Sequence, residues 1–302
     1  GGELPHGIRC VDEDEIAAIL RDSACRRVLT SPAHAETIAR LFPELELHVI
    51  ADDGPSSWRR LFTTAEESVP VAGTDEAMLV YTSGTTGAPK PFALTYANIA
   101  ANVGALTGAG VIGIDDRVLL PLPLHHVYPL VVGVLTPLAA GAAIVFPESV
   151  SGVDIATAMR EGRATVVIGV PRLYAALLDG IESRAAARGK VAATIFRQMM
   201  RLSIGLRHRL GINAGRILFR AVHRRLGPDL RILVSGGAKL EAPLIRKLQG
   251  LGWWVLSGYG LAETASIFTG NLPARQRIGS EGLPLDGGRV RIADADESGT
   301  GE

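Results

Sequence analysis

The chain has 302 residues, 47% hydrophobic and 21% charged, which is enough to bury a substantial core and too apolar for a disordered segment. Lys plus Arg equals Asp plus Glu at 31 each, so nothing in the charge balance points to nucleic acid as a partner. Cys10 and Cys25 are the only cysteines and form no CxxC or Cys/His cluster, which argues against structural zinc or a disulfide framework and suits a reducing cytoplasm.

The first residues, Gly1 to Pro5, lack the basic-then-apolar pattern of a signal peptide. Asp12 is placed to cap a helix over 15–20, followed by a strand over 27–30. Ser31 and Pro32 carry an N-cap-then-proline signature that opens a second helix, followed by a strand over 47–50. The apolar run 77–80 reads as a buried strand. It leads into a polar loop, Tyr81, Thr82, Ser83, Gly84, Thr85, Thr86, Gly87, Ala88, Pro89, Lys90.

That loop combines what a polyphosphate requires. Two glycines permit positive φ and close backbone approach, four hydroxyls donate alongside the loop's own N–H groups, and Lys90 supplies a compact positive charge. It lacks the GxxxxGK[ST] spacing of a Walker A loop, and Pro89 stands where a following helix would need an N–H. Read alone, it fits a polar turn between two strands equally well.

The β/α rhythm continues. Strands are expected over 118–121, 142–146, 165–170, 231–234 and 253–256, with helices over 153–160, from Pro171, and over 242–248. The apolar stretch 130–146 is too short to span a bilayer and is interrupted by Thr136, Pro137 and Gly141, so a buried helix feeding a strand explains it better. Trp253 and Trp254 are expected in the core. In sheets of this kind ligands lie beyond the carboxyl ends of strands, where the glycine-rich segments of this sequence fall.

Residues 188–225 depart from the rhythm, with ten Lys or Arg and no Asp or Glu on a long helical pattern. Arg216, Arg220 and Arg224 recur every four residues, which places them on one helix face. This suits a basic amphipathic surface that rests on anionic membrane or guides acidic ligands, and equally a solvated helix face.

Two further segments carry chemistry. The strand before Ser235, Gly236, Gly237 and Ala238 ends in small residues that let backbone face a flat ligand. The run Ser257, Gly258, Tyr259, Gly260, Leu261, Ala262, Glu263 brackets an aromatic ring with glycines and ends in a carboxylate. Glu263 reads either as a charge complementing the start of a helix or as a hard oxygen ligand for Mg²⁺. A metal site at His125 and His126 is not expected, since adjacent residues rarely chelate together and no acidic partner is near.

Together the loop 81–90, the segment 235–238 and the run 258–263, in that order, resemble the adenylate-forming, acyl-activating enzymes: acyl-CoA synthetases, luciferases and adenylation domains. Pro121, Leu122, Pro123, Leu124, His125, His126 resembles that family's Pro-Leu-Pro-x-x-His motif. The resemblance covers the chain from about Asp14 onward. It implies an α/β fold of stacked, mainly parallel sheets flanked by helices, in two α/β subdomains. It also implies that 1–302 is an AMP-binding core incomplete at both ends, with 81–90 as phosphate loop, 188–226 as basic helical insertion and the C-terminal lid domain absent.

The resemblance also implies roles. Thr82, Ser83, Gly84, Thr85, Thr86, Gly87 and Lys90 would hold the β- and γ-phosphates of ATP, with Lys90, Thr86 and Glu263 catalytic and Glu263 binding Mg²⁺. Gly237, Ala238, Gly258, Gly260 and Ala262 would line the nucleotide site, with Tyr259 on the purine. His126, Gly236 and Gly237 would border the acyl pocket.

The implied reaction is ATP-dependent activation of a carboxylic acid, then transfer to coenzyme A. Val170, Pro171, Arg172, Leu173, Tyr174 and the basic insertion look like long-chain fatty acyl-CoA synthetases, in the cytoplasm or at the membrane periphery. The alternatives are a carrier-protein-loading adenylation domain or a nucleotide-binding pseudoenzyme. Ala262, where the family usually has threonine, bears on the last of these; Pro91 and Tyr96 also depart from the pattern.

Overall fold

The structure, a computed structural model, describes residues 13–50, 70–83 and 89–300, with backbone alone at 82, 83, 89, 90 and 274. The chain divides into two compact units, Gly1–Ala72 and Gly73–Glu302. In the first, α1 (Glu13–Ser23), β1 (Arg27–Thr30), α2 (Pro32–Leu41) and β2 (Glu46–Val49) follow in turn, and the two strands pair in parallel. Pro32 starts α2, where its missing N–H costs no hydrogen bond. Ala17, Ile38 and Phe42 are buried, while the Arg40–Glu13 and Arg27–Glu46 ion pairs lie exposed. Asp12, the expected cap, lies outside the described residues, as does Cys10.

The second unit begins with an antiparallel ribbon, β3 (Glu76–Ser83) and β4 (Pro89–Thr95). Thr95 then caps α3 (Tyr96–Gly108): its hydroxyl accepts from the Asn98 N–H while Asn98 Oδ1 accepts from the Thr95 N–H. Next come β5 (Arg117–Leu119) and a continuous helical run made of α4 (Val127–Leu130), a π-turn (Val131–Leu135) and α5 (Thr136–Ala139), which leads to β6 (Ala143–Val145). The wider turn accommodates Pro137, which has no N–H for an α-helical bond, and Thr136 Oγ1 donates to the Val131 carbonyl at 2.8 Å. This is the buried helix expected from the stretch 130–146.

The remaining elements are α6 (Gly152–Glu161), β7 (Val166–Gly169), α7 (Pro171–Ala186), α8 (Lys190–Leu210), α9 (Gly215–Leu218), α10 (Arg220–Leu226), β8 (Ile232–Ser235), α11 (Ala242–Gly250), β9 (Trp254–Leu261), β10 (Ser266–Gly270) and β11 (Leu283–Pro284). One seven-stranded sheet has the order β11-β10-β9-β8-β7-β5-β6. Its five strands from β9 to β6 are parallel, and β10 and β11 run antiparallel to their neighbours.

Alternation along the strands builds a core on each face. Leu119, Val167, Leu233 and Val255 pack toward α6, α7, α8, α10 and α11. Val118, Leu120, Val166, Ile168, Ile232, Val234 and Leu256 face the opposite way, against Val132 and Leu106. Every residue of β7 and β8 is buried, as expected for strands covered on both faces.

Several expectations need correction. β9 continues to Leu261, and Glu263 lies in a single 3₁₀ turn, Ala262–Thr264, so no helix starts there. Trp253 is fully buried, but Trp254 is 40% exposed beneath the Arg207 guanidinium, 4.8 Å from its ring centre. The basic segment does not form one long helix. Phe219 leaves helical geometry between α9 and α10, so Arg216 and Arg220 belong to different helices, and Arg216 donates to the Leu230 and Pro228 carbonyls.

At the amino ends of the central strands sits a buried charge. Asp116 accepts from Arg231 Nε at 3.0 Å and Nη2 at 2.5 Å, from Thr165 Oγ1 at 2.6 Å and from the Gly113 N–H at 2.9 Å. It thereby ties together the starts of β5, β7 and β8. Burial raises the carboxyl pKa, but the Arg231 and Thr165 hydrogen bonds outweigh it and hold it below its ordinary 3.8. A depressed carboxylate stabilises the fold above its unfolded value and loses that contribution as pH falls through the folded one. Asp116→Asn is expected to cost about 3 kcal/mol in urea unfolding at pH 7, the low end for a broken buried pair because Arg231 is partly exposed. The variant should also show a shallower loss of stability than the wild type as pH falls below 3.8.

Candidate active site

The connections place the site. The β5-to-β6 connection runs over one face of the sheet, whereas α6, α7–α10 and α11 return over the other. The chain therefore departs in opposite directions from β5 and β7, and a crevice opens beyond their carboxyl ends. A cavity of about 600 Å³ occupies this crevice. Leu122, Pro123 and His126 reach it from the segment after β5, Val170 from the end of β7, Gly237 and Ala238 from the end of β8, and Gly258, Gly260 and Ala262 from β9 and its turn. Four adjacent strand ends converge on one space, and the three described motifs meet in it.

Each glycine serves a different constraint. Gly237 has φ +77°, and an added Cβ would find only Val170 at 3.8 Å, so backbone conformation is what excludes other residues. At Gly236 the limit is space, since a Cβ would lie 2.7 Å from the Tyr128 ring. At Gly260 it would lie 1.6 Å from the Ser266 carbonyl oxygen, so the β9–β10 approach requires glycine.

Tyr128 and Tyr174 are functional supports that the sequence reading did not single out. The Tyr128 hydroxyl donates to the Gly169 carbonyl at 3.1 Å and lies 3.3 Å from that of Val234; the Tyr174 hydroxyl donates to the Val234 carbonyl at 2.7 Å and lies 2.9 Å from that of Val167. Burial raises both phenol pKa values, so both stay neutral donors. The two rings brace the strand ends from which Val170 and the Gly236–Gly237 turn project. The signal was present as tyrosines closing the two proline-containing motifs, but phenols usually read as core.

The Glu263 turn is fixed from behind by Asn102 of α3. Its Nδ2 donates to the Ile267 carbonyl at 2.8 Å and the Thr264 carbonyl at 3.3 Å. Ala265 (φ 55°) and Ser266 (φ 116°) hold left-handed backbone conformations directly after it. Ser266 lines the cavity, and its buried hydroxyl has no hydrogen-bond partner among the described residues. His126 lies at the mouth. Partial burial, then neighbouring His125 at 4.2 Å between ring centres, lowers its pKa and favours the neutral imidazole.

Not every expected residue lines this space. Gly236 shapes it through Tyr128 rather than bordering it. Tyr259, 47% exposed, points away from the Gly258 and Gly260 side and meets the Phe268 ring edge-on at 5.2 Å. Glu263 is exposed, with no hydrogen bond or ion pair among the described residues. Of the phosphate loop, Gly84, Thr85, Thr86 and Gly87 lie outside the described residues. The backbone register of the ribbon sets Lys90 opposite Thr82 and Pro89 opposite Ser83, so the loop closes an antiparallel hairpin. Among the described residues no cluster of three or more His, Cys, Asp or Glu could hold a metal, and no helix is long and apolar enough to cross a membrane.

This arrangement of strand-end loops around one crevice is that of an α/β ligand-binding site. The AMP-binding enzyme family profile matches residues 11–302, and the chain belongs to that family. The long-chain-fatty-acid–CoA ligase FadD15 of Mycobacterium bovis is 30% identical over 317 residues, covering 94% of this chain and 51% of its own length. The mitochondrial malonate–CoA ligase ACSF3 of Homo sapiens is also 30% identical, over 285 residues, covering 92% and 45% respectively. The chain thus spans about half the length of the curated relatives it matches. The crystal structure of ATP-bound MatB from Rhodopseudomonas palustris shares the fold, with a TM-score of 0.72 at 24% identity over 96% of this chain and 50% of that one.

The two adjacent glycines give a test of the geometry. Gly236→Ala should destabilise by about 1–3 kcal/mol through collision with Tyr128, and Tyr128→Leu should recover part of that loss in the double variant. Gly237→Ala should cost about 1–2 kcal/mol through backbone strain, with no recovery in the Tyr128→Leu background. Urea unfolding of the single and double variants separates the two cases.

Proposed function

We propose that this chain is the nucleotide- and acid-binding core of an enzyme that activates a carboxylic acid with ATP, releases pyrophosphate and passes the acyl group to coenzyme A. The observation that carries the reading is the convergence of His126, Gly237, Ala238, Gly258, Gly260 and Ala262 on one crevice at four strand ends. The phosphate loop 81–90 belongs to the same unit.

A carboxylate is a poor electrophile. In the first step its oxygen attacks the α-phosphorus of ATP in line, the bond to the bridging oxygen breaks and pyrophosphate leaves, giving an acyl-adenylate. In the second, a thiol attacks the acyl carbon and AMP departs. The protein contributes positioning and charge stabilisation. The loop's N–H groups, Thr82, Ser83, Thr85 and Thr86 hold the β- and γ-phosphates, and Lys90 offsets the charge that develops on the leaving group. His126 in its neutral form borders the reacting carboxylate, whereas Tyr259, turned away from the cavity, makes no contact with a purine bound in it.

Glu263 suits Mg²⁺, being a hard oxygen donor not engaged by any described residue, on a turn fixed by Asn102. The cation would neutralise phosphate charge when bound. Ala262 offers no hydroxyl to the α-phosphate, which leaves backbone N–H groups and Mg²⁺ to stabilise it.

The acid is proposed to be a long-chain fatty acid. Among the described residues, His126 is the only side chain in the cavity lining able to carry positive charge, so a second carboxylate would find no fixed cation there. A separate small apolar cavity of about 50 Å³ shares Gly258 and Ile267 with the first and is lined on its other side by Leu106, Val132 and Leu256. These features favour an apolar tail over a dicarboxylate.

Carboxylate-dependent ATP–pyrophosphate exchange by the intact protein tests the assignment. Exchange is expected with fatty acids of twelve or more carbons, and not with malonate or amino acids. Lys90→Ala and Glu263→Gln should each reduce it about 10²-fold or more while the protein remains folded. Exchange with malonate or amino acids alone would overturn the substrate assignment. Absence of exchange with every acid, in a protein that still binds ATP, would overturn the enzymatic one.

A further inference from the structure

A second cavity, of about 490 Å³, lies among α7, α8, α9 and α10, away from the crevice. Its walls are apolar: Ile181, Met199, Leu218 and Val222 surround Phe196 and Phe219, whose rings meet edge-on at 5.1 Å. Three arginines border it, Arg184, Arg188 and Arg225, and no carboxylate among the described residues does. All three are exposed, and none forms an ion pair or side-chain hydrogen bond among the described residues. The amino end of α8, which has no side-chain cap, adds partial positive charge where Ala192 borders the same space.

The position separates it from the catalytic crevice. Val170, just before α7, borders the crevice, whereas Ile181 to Arg188 border the second cavity at the helix's far end. Sixteen helical residues span about 24 Å.

We propose that this cavity is a binding site for an anionic single-chain amphiphile, a fatty carboxylate in its simplest form, with the chain against Phe196 and Phe219 and the head group held by Arg184, Arg188 and Arg225. Apolar walls alone would accept any hydrocarbon. The one-sided arginine border selects the charge, and guanidinium groups suit carboxylate geometry through paired N–H donors. The volume lies within the range of small-molecule pockets. The site does not depend on the ligase reading, since it shares no residue with the catalytic crevice.

The test is photoaffinity labelling of the intact protein with a dodecanoate carrying a diazirine at its chain end, followed by peptide mapping. Label is expected in peptides spanning 181–226, competed by dodecanoate and not by dodecyltrimethylammonium. It should fall about tenfold or more in Arg188→Glu/Arg225→Glu, whose exposed positions leave the fold intact, and in Val222→Trp, which fills the cavity. Circular dichroism checks folding of each variant. Label confined to peptides 122–129 and 258–267 would overturn this site while leaving the ligase reading standing. Equal competition by the cationic surfactant would overturn charge selection. Labelling of 181–226 only when phosphatidylglycerol vesicles are present would replace the proposal with a membrane-surface contact. Label at 181–226 in a protein without exchange activity would support the site and count against the ligase reading alone.

Discussion

A small apolar cluster holds the candidate active site together. Val80 and Leu94 of the hairpin, Val127 and Val131 of the helical run after β5, and Ala265 beside the Glu263 turn are all buried against one another. The segments that contribute them differ in chemistry, one being the phosphate-loop hairpin, another the His126 motif and the third the turn that carries the Glu263 carboxylate. These segments are distant in sequence and belong to different layers. Only burial of their apolar backs makes them neighbours, at a favourable ~25 cal/mol per Å² of apolar surface removed from water.

The sheet supplies the second constraint, from its opposite end. Asp116, Arg231 and Thr165 fasten the amino ends of β5, β7 and β8, and Tyr128 and Tyr174 brace the carboxyl ends of β7 and β8. Strand ends secured in this way can carry glycines with little intrinsic rigidity. Gly236 is closely covered by the Tyr128 ring, and Gly258 and Gly260 by the facing strand β10.

Much of this was legible in the sequence. Apolar runs separated by capped helices gave the parallel strands to within a few residues, because buried parallel strands are continuously apolar and their crossovers carry strong boundary signals. The motifs were legible because glycine, proline and charged residues occur there at fixed spacing. What was missed depends on partners distant in sequence. β4 contains Pro89 and Pro91, which read as breakers, yet it forms an edge of a two-stranded ribbon where a missing N–H is tolerated. β10 pairs antiparallel with β9 because the left-handed residues Ala265 and Ser266 reverse the chain, and neither residue type announces this. Arg216 looked like part of a helix-face stripe, but its guanidinium caps carbonyls of the 228–230 turn and α9 stops at Phe219. Trp254 is the first residue of β9, at the sheet's amino edge, where it stays 40% exposed beneath Arg207 although Leu256, two residues on, is buried.

The Asn102 contacts give α3 a mechanical meaning. The helix grows directly from β4, the strand that leaves the phosphate loop, and its second turn is bonded to the backbone at Thr264 and Ile267. It spans from the hairpin to the Glu263 turn. The helix is therefore tied at both ends, by chain continuity to β4 and by hydrogen bonds to the turn. A side chain outside every motif thus sets where α3 ends against the sheet, and the position of the Glu263 turn follows from a residue that no glycine-rich segment contains.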